Sequence, residues 1–117
     1  MTFEFEIKEH KNYIDIHLKG ELIDKTQAQA LLEIVDEYIQ NNQSNFIFDL
    51  SNLKYLNSSG LNILIQIFTK ARNNNGEAVL YHLNKKINEL ILITKLHTIF
   101  KIANNQKDAI KLLKVDE

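Results

Sequence analysis

Apolar and polar residues alternate strictly at the start of the chain, Phe3, Phe5 and Ile7 against Glu4, Glu6 and Lys8. A period of two marks a strand with one buried face. After the polar turn Glu9-His10-Lys11-Asn12 the alternation resumes, Ile14, Ile16 and Leu18 against Asp15, His17 and Lys19. The two runs predict an antiparallel hairpin whose second strand ends at Gly20, with His17 pointing into solvent. The period then changes. From about Thr26 to Gln40, the residues Ala28, Leu31, Leu32, Val35, Tyr38 and Ile39 recur on one face of a helix. Asp24 or Thr26 can cap it, and Asn41 to Asn45 close it as a polar loop.

Phe46-Ile47-Phe48 is apolar on both faces, the pattern of a central strand covered on two sides. The next helix starts near Leu61 and places Leu64, Ile65 and Phe68 on the same face, with Ile63 and Ile67 widening the stripe. It stops at Asn73-Asn74-Asn75-Gly76, where Asn and Gly tolerate left-handed backbone. Ala78-Val79-Leu80-Tyr81 is a further strand. Asn84 caps a third helix carrying Ile87, Leu90, Ile91 and Thr94, and Leu92 and Ile93 broaden its apolar arc. A short strand, Ile99 to Ile102, precedes a last helix opened by Asn104 or Asn105, with Ala109, Leu112 and Leu113 facing inward. The β-helix-β run from Phe46 to Tyr81 calls for a right-handed parallel crossover. The expected fold class is therefore α/β: a mixed β-sheet opened by an antiparallel hairpin, with about four helices.

Composition narrows the function more than the fold. A chain of 117 residues suits a single domain, 1–117. Fourteen basic and fifteen acidic residues nearly cancel, which removes the electrostatic reason to expect nucleic acid or an anionic membrane as partner. With no cysteine there is no disulfide and no thiolate chemistry. No targeting segment is visible, and the apolar runs are far shorter than the roughly 20 residues of a spanning helix. A soluble, cytoplasmic protein is expected. The four histidines, His10, His17, His82 and His97, show no metal-ligand spacing. Ser58 lacks the glycine two residues earlier that a nucleophile elbow requires. Three glycines, Gly20, Gly60 and Gly76, form no phosphate loop. No catalytic group, cofactor or metal is expected, and the chain is read as a non-enzyme.

The candidate chemistry lies between the central strand and the second helix, from Asp49 to Leu61, with Asn57-Ser58-Ser59-Gly60 at the join. Asn and Ser are favoured helix caps, so an ordinary helix start explains these residues. The same free amides and helix dipole also favour an anion. A serine there can carry a phosphate, which adds about −1.5 to −2 charges to the surface. Glu21 and Asp24 meet this loop only if both lie at the same end of the sheet. Glu21 is read as solvated, and Asp24 stays a candidate.

The order of elements and four segments resemble the STAS domain family, and within it the stand-alone bacterial anti-sigma factor antagonists. The segments are Gly20-Glu21-Leu22; Phe46-Ile47-Phe48-Asp49-Leu50-Ser51-Asn52-Leu53; Tyr55-Leu56-Asn57-Ser58-Ser59-Gly60-Leu61; and Thr94-Lys95-Leu96 with Ile99-Phe100-Lys101-Ile102. The third is similar to the family's aromatic-apolar-Asp-Ser-Ser/Thr-Gly-Leu signature. The resemblance implies partner switching. An anti-sigma factor that is also a serine kinase binds the unphosphorylated protein, phosphorylation on the first serine of the motif releases it, and a phosphatase resets the cycle. That serine is Ser58 here. The partner-binding surface implied is Asp24, Asn57, Ser58, Ser59, Gly60, Leu61 and Asn62. ATP and magnesium belong to the kinase. Two positions depart from the family pattern: Asn57 stands where Asp is usual, and Ile23 takes the aspartate position of Gly-Glu-Leu-Asp, with Asp24 one residue later. Both changes weaken a phosphoswitch without touching the fold. The competing reading is a phosphate-independent STAS interaction subunit of a transport or scaffold complex.

Overall fold

The computed structural model describes residues 2–113. Its elements run β1 (Phe3–Glu9), β2 (Ile14–Leu22), α1 (Gln29–Gln40), β3 (Asn45–Leu56), α2 (Ser58–Asn73), β4 (Glu77–Tyr81), α3 (Lys85–Ile93), a 3-10 turn (Leu96–Thr98), β5 (Lys101–Ala103) and α4 (Gln106–Leu113). The five strands form one sheet in chain order, β1-β2-β3-β4-β5. β1 and β2 are antiparallel, and every later pair is parallel. The expected mixed α/β sheet opened by a hairpin is therefore what the chain forms. Among the described residues no helix is long and apolar enough to cross a membrane.

The sheet carries a core on each face. Leu31 and Val35 of α1, Leu64 and Ile67 of α2, and Ile87 and Ile91 of α3 pack together on Ile14, Ile16, Phe46 and Phe48. Helices joining sequential parallel strands all land on one face when every crossover has the same hand, and twisted strands favour the right hand. α4 covers the opposite face, with Ala109, Ile110 and Leu113 against Ile47, Val79 and Tyr81. The central strand is thus apolar on both faces because both are covered, as Phe46-Ile47-Phe48 implied.

Several boundaries differ from the sequence pattern. The central strand does not stop after Phe48. It continues to Leu56, with Leu50, Leu53 and Leu56 buried. β2 keeps pace by running past Gly20 to Leu22, with register shifts between His17 and Lys19 and between Gly20 and Glu21. Gly20 has φ +90°, and an added Cβ would collide with the Thr2 carbonyl oxygen. It marks a bulge, not an end. α1 begins at Gln29, because residues 25–28 form a tighter turn in which Ala28 N–H donates to the Lys25 carbonyl at 3.1 Å. The left-handed helix stop after α2 falls on Asn75, φ 65°. In α4 the inward residue is Ile110, and Leu112 is exposed. Phe100 lies ahead of β5 and packs edge-on against Phe68 at 5.7 Å.

The largest correction concerns Asp15 and His17. Alternation placed them in solvent. However, β2 is an interior strand and its second face lies under the α4 layer, so Asp15 is fully buried and His17 is partly buried. Asp15 accepts hydrogen bonds from Tyr81 Oη at 2.8 Å and Gln106 Nε2 at 2.9 Å. The His17 ring bridges two carboxyl groups, with Nε2 3.1 Å from Asp15 and Nδ1 3.0 Å from Asp49.

Candidate functional site

The β3–α2 join is built by four residues, Asn57 to Gly60, with separate tasks. Asn57 has extended backbone and caps α2, its Oδ1 accepting from Gly60 N–H at 3.0 Å. Its Nδ2 donates to the Ile23 carbonyl at 3.0 Å, which fastens the helix start to the segment after β2. Gly60 is buried, and a Cβ there would collide with the Leu22 carbonyl oxygen. The glycine thus lets the first turn of α2 lie directly on the end of β2. Ser58 and Ser59 occupy the first two helical positions and are exposed. Their backbone amides are among those an α-helix leaves unpaired at its start.

The helix therefore begins at Ser58, three residues before the first apolar position of its stripe. Leu61 turns into the core and Asn62 returns to the surface, one turn beyond Ser58. The outward face of the join is Ser58, Ser59 and Asn62. The Asp24 carboxyl group caps its own turn by accepting from Gln27 N–H at 2.9 Å. The group that reaches the join from this segment is the Ile23 carbonyl, not the Asp24 side chain. Glu21 lies beside Tyr55 in the sheet register and is partly buried.

Beside Ser58 runs a groove of about 350 Å³ between the end of β3 and α3. Tyr55 and Leu56 form one wall; Lys86, Leu90 and Ile93 form much of the other. Tyr55 is 43% exposed and Ile93 79% exposed. The helical pattern of α3 had shown Leu92 and Ile93 as excess apolar residues. What that pattern lacks is the strand length that brings Tyr55 opposite Ile93. Asn84 fixes this wall as Asn57 fixes α2: Oδ1 accepts from Ile87 N–H at 2.8 Å and Nδ2 donates to the Leu53 carbonyl at 2.9 Å.

Ser58 has no histidine or carboxylate partner among the described residues. His17 and His82 instead serve Asp49, which also accepts from Ser51 N–H at 2.9 Å. Burial would push the Asp49 carboxyl up, but the Ser51 amide and hydroxyl, His82 and His17 outweigh it and hold the group below the ordinary carboxylate range. A carboxyl group depressed in the folded state adds stability above its unfolded value, near about 3.9, and loses it as pH falls through the lower folded value. The gap in urea midpoint between the wild type and Asp49→Asn is therefore expected to narrow as pH falls from about 5 to about 2. A constant gap across that window would mean that Asp49 is not linked to folding by its charge. Among the described residues no group of three or more His, Cys, Asp or Glu is placed to hold a metal ion. The site's chemistry is that of an accessible hydroxyl on a rigid helix start, flanked by an apolar groove.

Comparison with known proteins bears on this site. The model of the STAS domain family matches residues 4–109. The anti-sigma F factor antagonist of Paenibacillus polymyxa is 27% identical over 116 residues, covering 98% of each chain. The anti-sigma-B factor antagonist of Listeria monocytogenes is 32% identical over 105 residues, covering 89% of this chain and 91% of the relative. The anti-sigma factor antagonist SpoIIAA shares the fold in its unphosphorylated form, with a TM-score of 0.74 at 14% identity over 97% of this chain and 100% of that one. In its phosphorylated form the TM-score is 0.71 at 16% identity over 92% and 97%.

Proposed function

The chain belongs to the STAS domain family, and from that premise we propose that it is an anti-sigma factor antagonist working by partner switching. The unphosphorylated protein binds an anti-sigma factor that is also a serine kinase, and phosphorylation of Ser58 ends the complex. A serine phosphatase restores the binding form. In this reading the chain is a kinase substrate and not an enzyme, and it acts in the cytoplasm. The observation that carries the reading is the exposed Ser58 hydroxyl on the first turn of α2, held by Asn57 and Gly60. Two relatives are named as antagonists of anti-sigma factors, and one solved structural relative is a phosphorylated form.

Ser58, Ser59 and Asn62 form the centre of the docking surface, with Asn57, Gly60 and Leu61 shaping it from beneath and Asp24 at its edge. A phosphate on Ser58 brings a near-dianion into a surface that must be desolvated on docking, and any facing carboxylate adds repulsion. Ser58→Asp is expected to weaken partner binding by about 2 kcal/mol, roughly thirtyfold. Ser58→Ala should bind like the wild type and take no phosphate. The measurement is capture of the partner from the native host, a binding titration with each variant, and intact mass after incubation with the captured partner and ATP. Phosphorylation of Ser58→Ala to the wild-type level would exclude Ser58 as the acceptor.

One observation favours a second reading. The Asn57 amide is engaged by Gly60 and Ile23 and supplies no carboxylate beside Ser58. A phosphate-independent interaction subunit of a transport or scaffold complex would use the same face for stable docking. In that case Ser58→Asp leaves the captured complex intact and no phosphate appears on the wild-type chain.

A further inference from the structure

A helix cap needs only an acceptor, and Ser, Thr or Asp would serve as well as Asn. Asn57 does more. While Oδ1 accepts from Gly60 N–H, Nδ2 donates to the Ile23 carbonyl, each at 3.0 Å. The segment it reaches is already ordered by its own bonds. Ile23 N–H and Asp24 N–H donate to Gln27 Oε1 at 3.0 and 3.2 Å, and Gln27 N–H donates back to Asp24 at 2.9 Å. The Leu22 carbonyl lies against Gly60, and the next carbonyl, Ile23, meets Asn57. Asn84 repeats the device, tying α3 to the Leu53 carbonyl of β3. Asn105, just ahead of α4, makes only the acceptor bond, from Asp108 N–H, on an exposed face. The donor half of the amide is thus used where a helix start must be fixed to a neighbouring strand end.

We propose that Asn57 is a positioning residue that ties the Ser58 turn to the segment after β2 through the donor half of its amide. This rests on the role given to Ser58 above. The isosteric carboxylate could not replace it. An ionised Asp at this position keeps the Gly60 bond but turns a lone pair toward the Ile23 carbonyl. The tie is lost and the two oxygens repel. Only a protonated carboxyl can donate to Ile23 and accept from Gly60 together. The aspartate usual in the family motif is therefore expected to loosen this chain's acceptor turn.

The test compares the full-length wild type with Asn57→Asp and Asn57→Ala. Amide hydrogen exchange near pH 7 should quicken roughly fivefold over Asp24 to Ala28 in Asn57→Asp, the protection one net hydrogen bond confers, while Gly60 stays protected. In Asn57→Ala both regions should quicken. The deficit of Asn57→Asp in urea midpoint should shrink as pH falls below about 4, where the carboxyl gains its proton and can donate. The phosphorylated fraction at Ser58, read by intact mass from the native host, should fall in Asn57→Asp. Wild-type exchange over Asp24 to Ala28 in that variant overturns the proposal. So does a deficit that grows with falling pH, because the acceptor bond and helix dipole then account for Asn57 alone. An unchanged phosphorylated fraction despite faster exchange also overturns it. A wild-type chain that never carries phosphate, with the exchange pattern as expected, upholds the tie and removes the phosphoswitch.

Discussion

Asp15→Ala is expected to lower stability by about 4 kcal/mol, the scale seen when one partner of a buried charged network is removed. Asp15 is fully buried, accepts from Tyr81 Oη at 2.8 Å and Gln106 Nε2 at 2.9 Å, and has the His17 ring 3.1 Å away. Truncation leaves those groups under the α4 layer without their acceptor, and each loses more than a surface hydrogen bond would. Burial, and then the bond to Asp15, push the Tyr81 hydroxyl strongly up, so it stays a donor at any ordinary pH. Tyr81→Phe deletes one donor while its ring still fills the space and Asp15 keeps its other partners, so it should cost less, about 2 kcal/mol. The double variant should cost less than the two single changes added, since both act on one bond. Urea denaturation of the four proteins measures this. Strict additivity would mean that the Tyr81–Asp15 bond carries no energy. Gln106 opens α4, so Asp15→Ala should also quicken amide exchange along Gln106–Leu113.

Gly60→Ala is expected to cost about 3 kcal/mol and to disable docking at Ser58. The added methyl has nowhere to go. It would collide with the Leu22 carbonyl oxygen and come within 3.1 Å of Leu56 Cβ, and neither belongs to a flexible side-chain end. The first turn of α2 must lift from β2, stretching both Asn57 bonds and moving Ser58 with it. Chemical denaturation gives the stability cost, and a titration with the captured partner gives the docking loss. A variant as stable as the wild type would show that α2 can shift freely at its start. Stable folding with full docking would show that Ser58 needs no fixed place.

How much of this was legible in the sequence depended on whether local pattern or tertiary cover decided the residue. The faces of α1 and α2 were readable because a stripe such as Leu64, Ile67 and Phe68 is buried by any partner. The hairpin was readable for the same reason, up to the point where β2 became interior. There, Asp15 and His17 kept the alternation of a half-exposed strand while a second layer covered them, and no local signal announces α4 overhead. β3 was cut short because Ser51 and Asn52 look like a loop, yet both are exposed residues of a strand whose Leu50, Leu53 and Leu56 remain buried. The Ser58 turn was legible as a cap followed by a glycine. Its attachment to Ile23 was not, because a backbone carbonyl is the same at every position. The groove wall of α3 was half legible: Ile93 stood out as surplus, whereas the place of Tyr55 opposite it depended on the missed length of β3.

The strand order follows the chain, and each strand pairs with its predecessor. During synthesis, every new strand therefore meets a sheet edge that has already left the ribosome. No strand must wait for a later one to slot between it and its neighbour. The β1–β2 hairpin needs only a short loop to close, and each later addition closes a loop of one helix and its connections. The sequence separation of these contacts stays modest, which favours rapid folding for a mixed sheet. The growing edge moves outward with each addition and comes to rest on the short strand Lys101–Ala103, a poor template for a second chain, while β1 remains the opposite edge. The Ser58 turn is complete once β3 and the first turn of α2 have docked on β2, before β4 and β5 are in place. The proposed acceptor is thus finished early in assembly, while α3, and with it the far wall of the groove, arrives later.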